Sequence, residues 1–392
     1  MAMHVIFPGP RTTVQDEGRY GYQNMGFTPG GFMDRDASRM ANVLVGNEEG
    51  EALLEFCLVG PILCFDEQVN LSVCGGDFSL EVGEKVYPAC QAVHVPSGVR
   101  VRALTGQAGV YGSLAISGGL AIPKVMGSYS TLLRCQLGGY QGRTLLAGDI
   151  IPLRSPEKGR EDLSWRRGIG SEKEKKESEG VVIRVIPGPQ EERFTQRGME
   201  TFYGSRYIIT GQSDRMGYRL SGPLVEAKEG YDILSDGIAM GSIQISGNGE
   251  PIVMMADRQT TGGYAKIANV ISADLPLFAQ LRPGQGVEFV PVSVQEAQRV
   301  LREKEEGFRE FVRLLRQEET ERREKKKWQG SFHRKKETGK GLPEKGKRDK
   351  EKGKEEKDAR KEKEKGRESL HRSMGRRSSK DSWKRGGKRW QR

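Results

Sequence analysis

Histidine is scarce in this chain. Only four occur in 392 residues, and only His4 and His94 precede the lysine-rich C-terminal stretch, both in strand-like surroundings. That argues against a histidine-centred catalytic triad, and His94 reads as structural. Cysteine is sparse as well. Cys57, Cys64, Cys74, Cys90 and Cys135 are odd in number, with no CxxC spacing and no neighbouring histidines. A disulfide framework and a zinc site are both unsupported, so no metal is expected, and free thiols fit a reducing compartment. No apolar run approaches the roughly 18 residues needed to span a bilayer, and the N-terminus has no charged-then-apolar leader pattern. The expectation is a cytoplasmic protein with no membrane partner. No GxxxxGK[ST] loop is present to hold ATP phosphates, and no GxSxG elbow to expose a serine nucleophile. Ile238-Ala239-Met240-Gly241 has no lysine to carry biotin, so any biotin belongs on a partner.

What is present begins with an uneven charge. The formal net charge of +11 suggests nucleic acid until it is divided along the chain. Glu321 to Arg392 holds 30 Lys/Arg against 13 Asp/Glu, leaving 34 against 40 in the first 320 residues. The body is mildly acidic and the basic charge is confined to the tail. That tail is low in apolar residues apart from scattered aromatics such as Trp328, Trp383 and Trp390. It reads as disordered over 321–392, and nucleic acid is expected only nonspecifically, through it.

The body reads as short strands between glycine turns. Val69, Leu71 and Val73 alternate, as do Phe78, Leu80 and Val82, then Val99 and Val101. Ile243 with Ile245, the run Ile252-Val253-Met254-Met255, and Val287 with Phe289 follow. Period-2 spacing puts these side chains on one face of a sheet, and 52 glycines supply turns and bulges. The fold class is therefore all-β (mainly β), as barrels or sandwiches without interleaved helices. Val5-Ile6-Phe7 before Pro8-Gly9-Pro10 is echoed by Val185-Ile186 before Pro187-Gly188-Pro189. Gly148-Asp149-Ile150-Ile151-Pro152 is echoed by Gly286-Val287-Glu288-Phe289-Val290-Pro291. The expected units are a first β domain over 1–154, a charged flexible linker or loop over 155–180 and a second β domain over 181–292. An amphipathic helix over 293–320 then carries Val294, Ala297, Val300, Leu301, Phe308, Phe311, Val312 and Leu315 on one face, with Gly307 as a candidate break.

Four loops are too polar and glycine-rich to be plain connectors. They are Thr12–Arg19, Pro29–Asp34 with Ala41–Asn47, Ser213–Leu220 and Ala256–Tyr264. Three place Asp beside Arg: Asp16 with Arg19, Asp214 with Arg215, and Asp257 with Arg258. A carboxylate can orient a guanidinium whose remaining donors address an anionic or carbonyl-bearing ligand. Thr260, Thr261 and the Gly262 and Gly263 N–H groups add neutral donors. The alternative is that each pair merely ties a turn.

With these residues in view, the chain resembles the biotin-dependent carboxyltransferase-like family. That family has branches in 5-oxoprolinase complexes (as their C subunit, once labelled allophanate hydrolase subunit 2), in KipA-like antagonists of a kinase inhibitor, and in the carboxyltransferase region of urea carboxylase. The resemblance is carried by Thr12–Arg19, Gly31–Asp34, Ala41–Asn47, Leu54-Glu55 to Gly60-Pro61, and Ser117-Gly118-Gly119 to Gly127-Ser128-Tyr129-Ser130-Thr131. It continues through Gly188-Pro189-Gln190, Ser213–Leu220 and Asp257–Tyr264. Two departures stand in presumed site loops. Gly30-Gly31-Phe32-Met33-Asp34 replaces the usual Ser-Gly-Ala-Met-Asp, and Tyr129 stands where Arg is common.

The resemblance implies two cyclophilin-like β-barrel domains, a homologous, KipI-like B subunit and a LamB/YcsF-type A subunit. It implies ATP-dependent opening of 5-oxoproline to glutamate, with ATP used by the complex and its site not located in this chain. Asp257, Arg258, Asp214 and Arg215 are the expected catalytic residues. The arginines would steady developing charge while the aspartates orient them or move a proton. Thr260, Thr261, Gly262, Gly263, Asp16, Arg19, Met33, Asp34 and Ser128 are expected to bind a small amide substrate. The alternatives are carboxyl transfer from carboxybiotin to urea or a related amide, and non-enzymatic binding of a kinase inhibitor.

Overall fold

In the computed structural model, the described residues are 1–155, 161–168 and 180–337. The first half holds two antiparallel sheets. One runs Ile150–Pro152, Ala2–Phe7, Ile62–Phe65, Val101–Leu104, Ser79–Val82, Lys85–Pro88 in spatial order. The other runs Thr12–Gln15, Leu53–Cys57, Tyr111–Ile116, Val69–Cys74, Val93–Val95. Val5, Leu63 and Leu80 of the first meet Val14, Phe56, Leu71 and Leu114 of the second in one core, which is the period-2 reading realised. The intervening positions Asn70 and Ser72 are buried too. The helix Arg35–Leu44 covers the outer face of the second sheet, and its Ser38 hydroxyl meets the Ser113 hydroxyl at 2.8 Å.

The second half closes into a seven-stranded barrel. Its order is Val181–Pro187, Lys266–Val270, Ser242–Ile245, Pro251–Met254, Gly217–Ser221, Arg206–Ile209, Gly286–Pro291. Ile183, Val185, Ile243, Ile245, Val253 and Ile267 fill it, and Phe202 stacks on Phe289 with ring centroids 5.1 Å apart. A two-stranded ribbon, Asp232–Gly237 with Thr261–Tyr264, is a separate sheet. The mainly-β class is as expected, with closure differing between the halves.

The echoed Pro-Gly-Pro turns have a steric reason. A Cβ on Gly9 would lie 2.4 Å from the Val59 carbonyl oxygen, and one on Gly188 would lie 2.2 Å from that of Lys266. Each half needs glycine where its opening strand crosses another backbone. The opening strands then differ in pairing, since Ala2 lies antiparallel to Pro152 whereas Val181 lies parallel to Val287.

The halves share a seam. Met33, Val110 and Tyr111 of the first half belong to the barrel's core. Gln280 accepts from the Val110 and Tyr111 amides at 2.8 and 3.1 Å and donates to Tyr111 O at 2.9 Å. Arg282 donates to Gly109 O and Gly106 O at 2.7 and 3.0 Å.

Two expected boundaries need correction. The segment expected as a charged flexible linker or loop over 155–180 is not flexible throughout, being anchored at 161–168. Asn70 brackets it, donating to Glu161 O at 2.9 Å and accepting from Leu163 N at 3.0 Å. Arg166, 3% exposed, donates to Val43 O at 3.0 Å and to Leu44 O at 3.4 Å. Those are among the last carbonyls of the helix Arg35–Leu44, which have no intrahelical donors and favour a cation. Charge-rich composition was a poor guide because this arginine caps a helix. The remaining linker residues, 156–160 and 169–179, lie outside the described residues.

The second correction concerns the C-terminal helix. It runs from Val294 to Glu337, through Gly307, rather than stopping at 320. Arg299, Arg313, Arg322 and Arg323 pair with Glu296, Glu310, Glu318 and Glu319, one turn earlier. Such pairs extend a helix made of good helix formers past the end of its apolar stripe. The rest of the expected disordered tail, 338–392, lies outside the described residues. Among the described residues, no helix is long and apolar enough to cross a membrane.

Candidate functional site

Three of the four polar loops meet where the halves join. The fourth, Thr12–Arg19, is bonded to one of them through Arg19 N to Pro29 O at 2.7 Å and Phe32 N to Asp16 O at 3.0 Å. Gly30 (φ 63) and Gly31 (φ 90) turn the Pro29–Asp34 loop in the left-handed region. A Cβ on Gly31 would lie 2.8 Å from the Glu17 carbonyl oxygen, so only glycine fits. This turn directs Gly31 O to Arg215 Nη2 at 2.7 Å. Thr28 ties the same loop to Ala256 O at 3.3 Å.

Every guanidinium nitrogen of Arg215 is engaged. Its Nε and Nη2 form a fork on Asp257 at 2.8 and 2.9 Å, and its Nη1 donates to Glu55 Oε1. Glu55 enters from the strand Leu53–Cys57, and its other oxygen accepts from Met33 N at 2.8 Å. Burial alone would lower the Arg215 pKa, but Asp257 and Glu55 more than offset it and raise it. Burial raises the Glu55 pKa despite Arg215 and the Met33 amide. One cation thus stands between the buried Glu55 and the partly buried Asp257, and burial makes Glu55 hold its proton more tightly than in water.

This corrects the expected pairing. Arg215 does not pair with its neighbour Asp214, which closes a turn by accepting from Met216 N and Gly217 N at 2.8 and 3.3 Å. With every nitrogen engaged and four of its five N–H donors used inside the protein, Arg215 positions loops. Nor is Arg258 bonded to its neighbour Asp257. It is 7% exposed and donates Nε to Ile238 O at 2.9 Å and Nη1 to Met255 O at 3.3 Å. Burial lowers its pKa, with Tyr20 and Asp257 opposing. Its Nη2 makes no hydrogen bond with a described residue, so Arg258 has a donor with which to meet an added oxygen.

Asp16, Arg19 and Ser128, expected to bind substrate, are tied into a knot of internal hydrogen bonds. Asp16 accepts from Gly18 N at 2.9 Å, from Ser128 and Ser130 hydroxyls at 2.6 Å each, and from Tyr129 N at 2.7 Å. Arg19, 1% exposed, donates to Val125 O at 3.0 Å and Ser130 O at 2.9 Å, while its Nη1 is buried without a partner. Gly30 stands between this knot and the Arg215 clamp. A Cβ there would lie 3.6 Å from Asp257 Oδ1 and 3.8 Å from Ser130 Cβ.

The side chains of the other expected residues sit elsewhere, although the Met33 amide bonds Glu55. Met33 is 1% exposed in the barrel core. Asp34 caps the helix Arg35–Leu44 through Ala37 N at 2.9 Å and accepts from Gln280 Nε2 at 2.6 Å, so its carboxylate serves packing. Thr261, Gly262 and Gly263 lie in the ribbon, and Thr260, just before it, accepts from Ile238 N at 3.0 Å through its carbonyl. His94 packs its Nδ1 against Asn70 Oδ1 at 3.4 Å. Glu55, Ser130 and Gln280 were missed as site residues. Glu55 had a legible signal, a carboxylate inside the apolar run Ala52-Leu53-Leu54-Glu55-Phe56; a glutamate buried there needs a cation.

The chain matches the family model described as carboxyltransferase domain, subdomain A and B, over residues 25–291. It is 37% identical over 305 residues to the 5-oxoprolinase C subunit of Haemophilus influenzae, covering 78% of this chain and 96% of that one. It is 34% identical over 316 residues to the 5-oxoprolinase C subunit of Escherichia coli, covering 81% and 99%. The solved structure of the K. lactis urea amidolyase matches with a TM-score of 0.71 at 28% identity, covering 79% of this chain and only 20% of that one. Glu55, Arg215 and Asp257 of the clamp lie within the matched span, and the chain belongs to the carboxyltransferase domain family, subdomains A and B.

Proposed function

We propose that this chain is the C subunit of a 5-oxoprolinase, opening the lactam of 5-oxoproline to glutamate beside the B and A subunits. The observation that carries the reading is the near full-length similarity to two proteins of that name. ATP, bound elsewhere in the complex, would supply the phosphoryl group that activates the lactam oxygen. Arg258 Nη2 meets that oxygen and steadies the charge gathered on it. Asp257 and Glu55 hold Arg215, which fixes the loop bearing Arg258. Glu55 braces that cluster from the first half, accepting from Arg215 and from the Met33 amide. Cys57, Cys64, Cys74, Cys90 and Cys135 are free thiols, which agrees with a cytoplasmic location.

A second reading, carboxyl transfer to an amide, is favoured by the likeness to urea amidolyase; biotin would then ride on a partner. The two separate in one experiment. The chain, co-purified from its native source with whatever assembles on it, is assayed for ATP hydrolysis stimulated by 5-oxoproline and by urea. Stimulation by 5-oxoproline without a biotinylated partner supports lactam opening. Stimulation by urea alone, with a biotinylated partner, overturns it.

A further inference from the structure

Lys266 opens a barrel strand, and its side chain is 3% exposed. Its Nζ donates to Asp236 Oδ2 at 2.8 Å, its one partner among the described residues. An ammonium carries three donors, and burial makes unused ones costly. The anion is placed quite differently. Asp236 is 53% exposed and stands on the ribbon strand Asp232–Gly237, whose backbone pairs only with Thr261–Tyr264. The ribbon's Leu234 is 94% exposed, and a lone two-stranded ribbon is weakly held. The cation is therefore fixed in the barrel while its counter-ion sits on the least anchored sheet of the body.

Gln190 marks the same place. Its Oε1 accepts from Lys266 N at 3.2 Å and its Nε2 donates to Asp236 Oδ2 at 3.3 Å. A carboxylate at this point thus meets an ammonium and a carboxamide together. Gly262 stands opposite Asp236 in the ribbon, where a Cβ would lie 2.6 Å from Ile238 Cδ1 and 3.1 Å from Gln244 Nε2. The chain from Asp236 to Ile238 links this point to Arg258, whose Nε is bound by Ile238 O.

We propose that Lys266 and Gln190 form a carboxylate-binding subsite, filled in this structure by Asp236 and taken by the carboxylate of a small substrate when the ribbon moves aside. The buried ammonium cannot be left without an anion, so departure of Asp236 and arrival of a substrate carboxylate are one exchange. The inference rests on the lactam-opening reading for its substrate. 5-Oxoproline carries both groups needed, a lactam oxygen for Arg258 and a carboxylate for Lys266.

The test is equilibrium binding of 5-oxoproline, and of pyrrolidinone as the same lactam without the carboxylate, to the assembled complex. Lys266→Met should weaken 5-oxoproline by about tenfold or more and leave pyrrolidinone within about twofold. Lys266→Arg, which keeps the charge, should restore most of the loss. Asp236→Asn should tighten 5-oxoproline, because the resident competitor loses its charge. Equal effects on both lactams, no effect on either, or no binding by the wild type would overturn the subsite and leave Asp236–Lys266 as a structural latch. ATP hydrolysis in the same preparation reports separately on the functional reading. Turnover of 5-oxoproline without Lys266-dependent discrimination refutes the subsite alone, and discrimination without turnover refutes the lactam-opening reading alone.

Discussion

Arg215 and Glu55 meet across the seam between the two halves, 160 residues apart in sequence. Arg215 comes from the barrel half and Glu55 from the middle of a strand in the first half. Their side chains are 5% and 2% exposed. Asp257 completes the cluster from a third segment. Position in the fold, rather than adjacency in sequence, decides which acid meets which base.

Arg215→Ala should therefore destabilise the body by about 3–5 kcal/mol, because it leaves the buried Glu55 and the partly buried Asp257 without their cation. Glu55→Gln should cost less, since Arg215 keeps its fork on Asp257. Chemical denaturation of each variant measures both. An Arg215→Ala loss no larger than that of Glu55→Gln would contradict the clamp.

The raised pKa of Glu55 sets the sign of a pH effect. Its folded value lies above the ordinary 4.5, so folding favours the protonated form. This contribution is complete below the ordinary value and is lost as pH rises through the raised one. Glu55→Gln has no such proton to lose, so it should gain stability relative to wild type as pH rises through that window. Denaturation curves of the two proteins across the window give the slope of the difference. A slope of opposite sign would show that the carboxylate form is the one the fold prefers.

Arg258 and Asp214 should separate in function. Arg258→Ala should lower kcat of the assembled complex by about 10²-fold or more, the usual loss for one oxygen-stabilising donor. Asp214→Asn should leave kcat within about twofold, because asparagine closes the same turn. The check is 5-oxoproline-dependent ATP hydrolysis. A large loss from Asp214→Asn would return that residue to the chemistry.

The tail should be separable from the site. Residues 338–392 carry 22 Lys/Arg against 10 Asp/Glu, and their removal brings the formal charge close to neutral. The truncated chain should keep its thermal transition and its turnover, and should lose whatever salt-sensitive retention on RNA the full chain shows. Turnover that falls with the truncation would give the tail a role in the reaction.

Much of the fold was legible in the sequence because its signals are local. Alternation at Val69, Leu71 and Val73, or at Ile243 and Ile245, selects a buried face within one strand. Gly9 and Gly188 mark the two openings, because each sits where a side chain would strike a carbonyl. Family membership was legible for a related reason, since the loop motifs keep their order along the chain. Closure was another matter. The seven-stranded ring of the second half and the paired sheets of the first depend on which strand edges meet, and that is a long-range choice.

The sequence by itself determined that this is a mainly-β protein with chemistry-bearing glycine loops, an acidic body and a basic end. Only the tertiary structure decided how those loops pair. Asp214 and Arg215 are neighbours that do not bond to each other, while Asp257, Arg215 and Glu55 converge from distant segments. A buried charge takes the partner that the packed backbone brings within reach, and chain adjacency carries little information about that. The same holds for Lys266, whose partner Asp236 lies 30 residues away on the ribbon.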